Sequence, residues 1–67
     1  MNTEKKKALL ADVRDASRAL GRIVDGGHDL SLSADFEKQL RDSCLAAMAG
    51  LAILDARLLS EIGTDNL

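Results

Sequence analysis

The chain has 67 residues, with nine Lys and Arg against eleven Asp and Glu, and a formal charge of -2. A chain this short forms one marginal domain, and its single cysteine excludes an internal disulfide. No Cys/His cluster offers a structural metal site, so association with another chain is the remaining source of stability. The acidic balance, with a pI near 5.1, argues against general nucleic-acid affinity but allows a local basic patch.

The composition favours helix: there is no proline, and Ala, Leu, Lys, Arg and Glu fill much of the chain. The opening Met1-Asn2-Thr3-Glu4-Lys5-Lys6-Lys7 looks like the basic start of a signal peptide. Leu9, Leu10 and Ala11, however, run straight into Asp12, Arg14 and Asp15, so no secretory apolar segment forms. The longest apolar run, Cys44 to Leu54, is eleven residues, too short to cross a bilayer. A soluble, cytoplasmic protein with no membrane contact is expected.

Asn2 or Thr3 is placed to cap a first helix over about residues 3–25, with Glu4 in its first turn. Leu9, Val13, Ala16, Leu20 and Ile23, spaced by four and three, form its core stripe. Gly21 is a mild weakness within it, and Gly26-Gly27 provide a stop through a left-handed cap. Residues 26–33 form the loop, with Leu30 and Leu32 folding back over the hairpin end. Ser33 caps a second helix, Asp35 sits in its first turn, and the helix runs over about residues 34–62 to Gly63 and a frayed tail at 63–67.

The second stripe is Leu40, Cys44, Ala47, Leu51, Leu54 and Leu58. Leu45, Ala49, Ala52 and Ala56 point almost the opposite way, flanked by Met48 and Ile53. A helix that is apolar all round is a buried helix, and one neighbour cannot cover both sides. Leu45, Met48, Ala49, Ala52, Ile53, Ala56 and Leu59 are therefore expected to form a protein interface. The plainer alternative is that the alanines are exposed helix formers. The greater length of the second helix, worth about 9 Å at 1.5 Å per residue, is expected to leave Leu58, Leu59 and Ile62 overhanging.

Catalytic chemistry is missing from the pattern. His28 beside Asp29 has no nucleophile or second ligand fixed near it, and is expected to be a solvated loop residue. Cys44 on the core stripe reads as a buried, inert thiol. Gly26-Gly27 lack the Gly-Lys-Ser/Thr of a phosphate loop, and no metal-binding or acid–base constellation occurs. No enzyme, cofactor, metal or small-molecule substrate is expected. Lys7, Arg14, Arg18 and Arg22 form a ridge opposite the Leu9–Ile23 stripe. A solvated face, contact with an acidic protein partner and contact with RNA or DNA are the three readings of that ridge.

The pattern resembles two families. Lys6-Lys7-Ala8-Leu9, Ser33-Ala34-Asp35 and the Gly63…Asn66-Leu67 tail are similar to the plasmid-encoded Rop family of RNA-binding regulators. That resemblance implies a hairpin dimerising into a four-helix bundle and binding paired RNA loops through its first helix. The family's exposed face includes an aromatic residue, whereas this chain has Arg14 and Arg18 there and no aromatic. Gly26-Gly27 and the segment Ala46 to Leu54 also resemble the small helical co-chaperones of type III secretion systems. That resemblance implies pairing with a larger chaperone. Both would span most of the chain, and the chain is assigned to neither.

The expectation is an all-α antiparallel two-helix hairpin, completed as a four-helix bundle by a homodimer or by a helical protein partner. Its expected role is that of a non-catalytic interaction module: an adaptor, regulator or co-chaperone. A Rop-like dimeric RNA-binding regulator using the basic ridge is the alternative.

Overall fold

The computed structural model describes residues 2–65. It is an all-α hairpin in which α1 (Thr3–Gly27) and α2 (Ala34–Asp65) are joined by residues 28–33. The helices lie antiparallel in a rod of 51 × 15 × 11 Å. Its long dimension is close to the ~48 Å expected of a 32-residue helix. Asn66 and Leu67, which contribute to the expected tail, lie outside the described residues.

The helix ends differ from the sequence expectation for local reasons. Asn2 occupies the cap position of α1 without a side-chain capping bond. The Thr3 hydroxyl instead donates to Asp65 Oδ2 across the hairpin at 3.1 Å. Gly26 and Gly27 do not stop α1, which runs through both, and no glycine among the described residues has positive φ. The turn tightens through the amides of His28, Asp29 and Leu30, which donate to the carbonyls of Asp25, Gly26 and Gly27 at 3.2–3.4 Å. The chain reverses at Ser31, whose φ of 51° makes it the non-glycine residue in the left-handed region among the described residues.

Gly27 serves close approach. It is buried, and a Cβ built on it would stand 2.8 Å from Leu40 Cδ2. The start of α2 follows expectation: the Phe36 amide donates to Ser33 Oγ at 3.3 Å, with Asp35 and Glu37 in the first turn. At the far end α2 passes through Gly63 to Asp65, which is held from α1 by Lys6 as well as Thr3.

Those contacts put Thr3 level with Asp65 and Gly27 level with Leu40. The extra length of α2 therefore lies at the bend. The expected overhang at the other end is corrected accordingly: Leu58 and Ile62 are half-buried beside the first turns of α1, while Leu59 is 49% exposed. Of the two loop leucines, Leu32 folds back to half-burial and Leu30 stays 66% exposed.

The line of contact is also displaced from the expected one. On α1 the residues turned toward α2 are Thr3, Lys6, Leu10, Val13, Ser17, Leu20, Val24 and Gly27, spaced alternately by three and four. Val13 and Leu20 belong to the expected stripe, whereas Leu9, Ala16 and Ile23 are exposed. On α2 the line runs Glu37, Leu40, Cys44, Met48, Leu51, Asp55, Leu58, Ile62 and Asp65. It steps by four twice through Cys44, which brings Met48 inward and leaves Ala47 and Leu54 outside. Two fours in succession relax the left-handed drift of a strict heptad, and the longer, flexible Met fills the line better than Ala.

Leu10, Val13 and Cys44 are the buried apolar side chains among the described residues. Gly21 is the site where α1 is most simply strengthened, because a Cβ there would meet nothing within 4 Å. Gly21→Ala should raise stability by about 0.5–1 kcal/mol, seen as a thermal midpoint several degrees higher. Gly27→Ala should give less, because Leu40 must move to admit the new methyl. Equal gains at the two positions would show that α2 does not press on Gly27.

Candidate interaction surfaces

The hairpin is registered by ion pairs on or beside the contact line. Lys6 Nζ donates to both oxygens of Asp65, at 3.1 and 2.9 Å, and lies 3.8 Å from Glu61. Arg14 Nε donates to Asp55 Oδ2 at 2.8 Å, and its Nη2 reaches Oδ1 at 3.4 Å. The Arg14 hydrogen bond holds the Asp55 carboxyl below the usual carboxylate range against partial desolvation, and Asp55 in turn raises Arg14. The Lys6 hydrogen bond does the same to Asp65, with Thr3 adding to it.

Successive residues on a helix are about 100° apart, so Leu9, Ala16 and Ile23 lie one step round from Leu10, Ser17 and Val24. Together with Val13 and Leu20 they make an apolar sector about 100° wide, the width found on helices that face a core rather than a single neighbour. Only one edge of that sector is covered by α2. Leu9 is 52% exposed and Ile23 46%.

On α2, Phe36, Ala47 and Leu54 are rotated off the contact line toward the same side, and all three are exposed. At the bend the two rows converge on an apolar cleft of about 530 Å³ walled by Ile23, Gly26, Gly27, Leu30, Leu32, Phe36 and Leu40. This side of the hairpin, the open face, joins Leu9, Ala16, Ile23, Ala47 and Leu54, which the sequence assigned to the intrachain core, with Phe36.

The residues expected to form an interface lie on other sides of α2. Leu45 is 52% exposed and Ile53 70%, with Ala49 exposed between them along the helix back. Met48 is half-buried on the contact line and is not part of a free face. Ala52, Ala56 and Leu59 line a second cleft of about 450 Å³ with Arg14, Ser17, Arg18, Leu51 and Asp55.

The basic ridge is largely engaged within the chain. Arg14 is bound to Asp55, Arg18 Nη1 to Asp15 Oδ1 at 2.7 Å, and Lys7 lies 3.8 Å from Glu4. Arg22 forms no ion pair among the described residues. His28 is exposed, with Nδ1 2.9 Å from Glu37 Oε1.

The second helix is also long and apolar enough to cross a membrane by length and composition. It contains an 18-residue window of mean hydropathy 1.5 with at most two charged residues. The sequence expectation, based on the uninterrupted eleven-residue run, is corrected on that measure. Only 6% of the window is buried within the chain, so the hairpin does not cover its own most apolar segment. Comparison with protein-family models, curated proteins and solved structures finds no match.

Both clamp carboxylates are more acidic folded than unfolded, so they stabilise the hairpin at neutral pH. That contribution is complete above the ordinary aspartate value of about 4 and is lost as pH falls through the lowered folded values. The thermal midpoint should therefore drop as pH falls below about 4. A variant carrying Asp55→Asn and Asp65→Asn should start lower at neutral pH and fall less steeply. Identical acid profiles for variant and wild type, followed by circular dichroism, would show that the clamps are not ionic.

Proposed function

We propose that the chain is a non-catalytic protein-interaction module, a helical hairpin whose fold is completed as a four-helix bundle by packing against further helices. The observation that carries this reading is the inversion of its apolar surface. Among the described residues three apolar side chains are buried, whereas Leu9, Ile23, Leu30, Phe36, Leu45, Ile53, Leu54 and Leu59 are between 46% and 70% exposed. Scattered exposed leucines are ordinary, but faces in which they recur at helical spacing mark a binding surface.

An adaptor, regulator or co-chaperone acts in this way, by presenting a helix face to another chain. The pattern supports that mode of action over RNA binding by the basic ridge, because Arg14 and Arg18 are each paired with a carboxylate of this chain, Asp55 and Asp15.

Association makes stability depend on protein concentration by mass action. Light scattering of the purified chain should give a mass at least twice 7.2 kDa. Its thermal midpoint should rise across a hundredfold concentration series. A cooperatively folded species of monomer mass, with a midpoint independent of concentration, would refute the interaction reading. A chain that becomes helical only when lipid vesicles are added would replace it with a membrane reading.

A further inference from the structure

We infer that the open face is a self-docking seam: Leu9, Ala16 and Ile23 of α1 and Ala47 and Leu54 of α2 pack against the same face of a second, antiparallel copy. This rests on the interaction reading above and names its partner. The area agrees with it. The chain exposes 4957 Å², whereas a compact monomer of 7.2 kDa exposes about 4,100 Å². The excess of about 800 Å² follows from the rod shape of 51 × 15 × 11 Å, and it equals in size what one partner contributes to a standard-size stable interface.

The phase of the helices agrees as well. A helix with one neighbour needs a narrow seam, but the α1 sector extends about 100° round and ends on the open face. In a four-helix bundle each helix has two neighbours at right angles, and the midline of its apolar sector points between them. The row through Val13 and Leu20, flanked by Leu10 and Val24 on one side and Leu9 and Ile23 on the other, has that disposition. The seam positions themselves are uncharged, with Lys5 and Asp12 on the same row of α1, four residues before and three after Leu9; the opposite side of the hairpin carries Arg14 and Arg18.

Charge and side-chain size select the antiparallel arrangement. Around the bend Asp25, Asp29, Asp35 and Glu37 outnumber the flanking Arg22 and Lys38, while in the first turns of α1 Lys6 and Lys7 are held by Asp65 and Glu4 and Lys5 forms no ion pair among the described residues. Antiparallel docking sets the lysine end of each copy beside the acidic bend of the other. Along α1 the seam reads large, small, large, symmetric about Ala16. The two-fold axis then brings the alanines together and places Leu9 of each copy over Ile23 of the other.

The test uses the full chain and three variants in sedimentation equilibrium. Ala16 is exposed in the hairpin, so Ala16→Asp leaves the intrachain fold intact while placing two like charges at the two-fold axis. It should weaken the dimer by about 100-fold or more, whereas Ile53→Asp, off the seam, should leave the dimer intact. In an Ala16→Cys, Cys44→Ser chain, mild oxidation should give a disulfide-linked dimer, since the Cα atoms at the axis come within bridging distance.

A parallel arrangement puts the two residue-16 positions on diagonal helices, whose axes are about 14 Å apart for 10 Å neighbours, and no cross-link forms. Dissociation by Ile53→Asp but not by Ala16→Asp would overturn the seam while leaving the interaction reading standing. Dissociation by Ala16→Asp with no cross-link would overturn the antiparallel docking. A wild-type chain that stays monomeric and folded would overturn both.

Discussion

Two helices side by side touch along one line, and that geometric limit governs everything else about this chain. A contact line admits roughly two residues in seven from each helix, so most of any helix lies outside it. Here α1 and α2 together contain far more leucine, isoleucine, alanine and valine than one line can take. The surplus emerges as continuous faces because helical periodicity keeps residues seven apart on the same side. Leu9, Ala16 and Ile23 are the surplus of α1; that of α2 is Ala47 and Leu54 on the open face and Leu45, Ile53 and Leu59 elsewhere.

The line itself is more polar than a hairpin needing all its stability from one contact would tolerate. Thr3, Lys6, Ser17, Glu37, Asp55 and Asp65 all occupy positions on it and are partly buried. Such groups add little net energy at a solvated edge, where an ion pair contributes between zero and about 1 kcal/mol. They add register instead: Lys6 with Asp65 at one end and Arg14 with Asp55 further along fix which turn of α1 faces which turn of α2. A sliding hairpin would present ragged faces, whereas a registered one holds Leu9, Leu54, Ile23 and Phe36 in a constant arrangement.

The sequence made the two helices, the bend and the Ser33 cap legible, because periodicity, propensity and capping are local. It misplaced the contact line because α1 offers two overlapping apolar rows that share Val13 and Leu20. The choice between Leu9, Ala16, Ile23 and Leu10, Ser17, Val24 depends on what stands opposite. The cue available in the sequence was polar: Lys6 and Thr3 fall in phase with Leu10 and Val13, and Asp65 lies at the matching height on α2. Gly26-Gly27 misled for a related reason. A glycine pair suggests a left-handed stop, but Gly27 is needed for the close passage of Leu40, a tertiary constraint that no local rule contains.

The same charges bear on the apolar length of α2. A segment of that hydropathy is compatible with a lipid phase, where a buried ion pair carries a desolvation cost that its attraction does not readily repay. The Arg14–Asp55 pair joins α2 to a helix with charged residues on most of its circumference, among them Lys5, Asp12, Arg14, Asp15, Arg18 and Arg22. Drawing α2 into a bilayer would mean breaking that pair or dragging α1 with it. Packing against helices of like kind removes the apolar faces from water and leaves the pair at the hydrated edge. That difference in what must be dehydrated favours a protein surface over a lipid one as the cover for this hairpin.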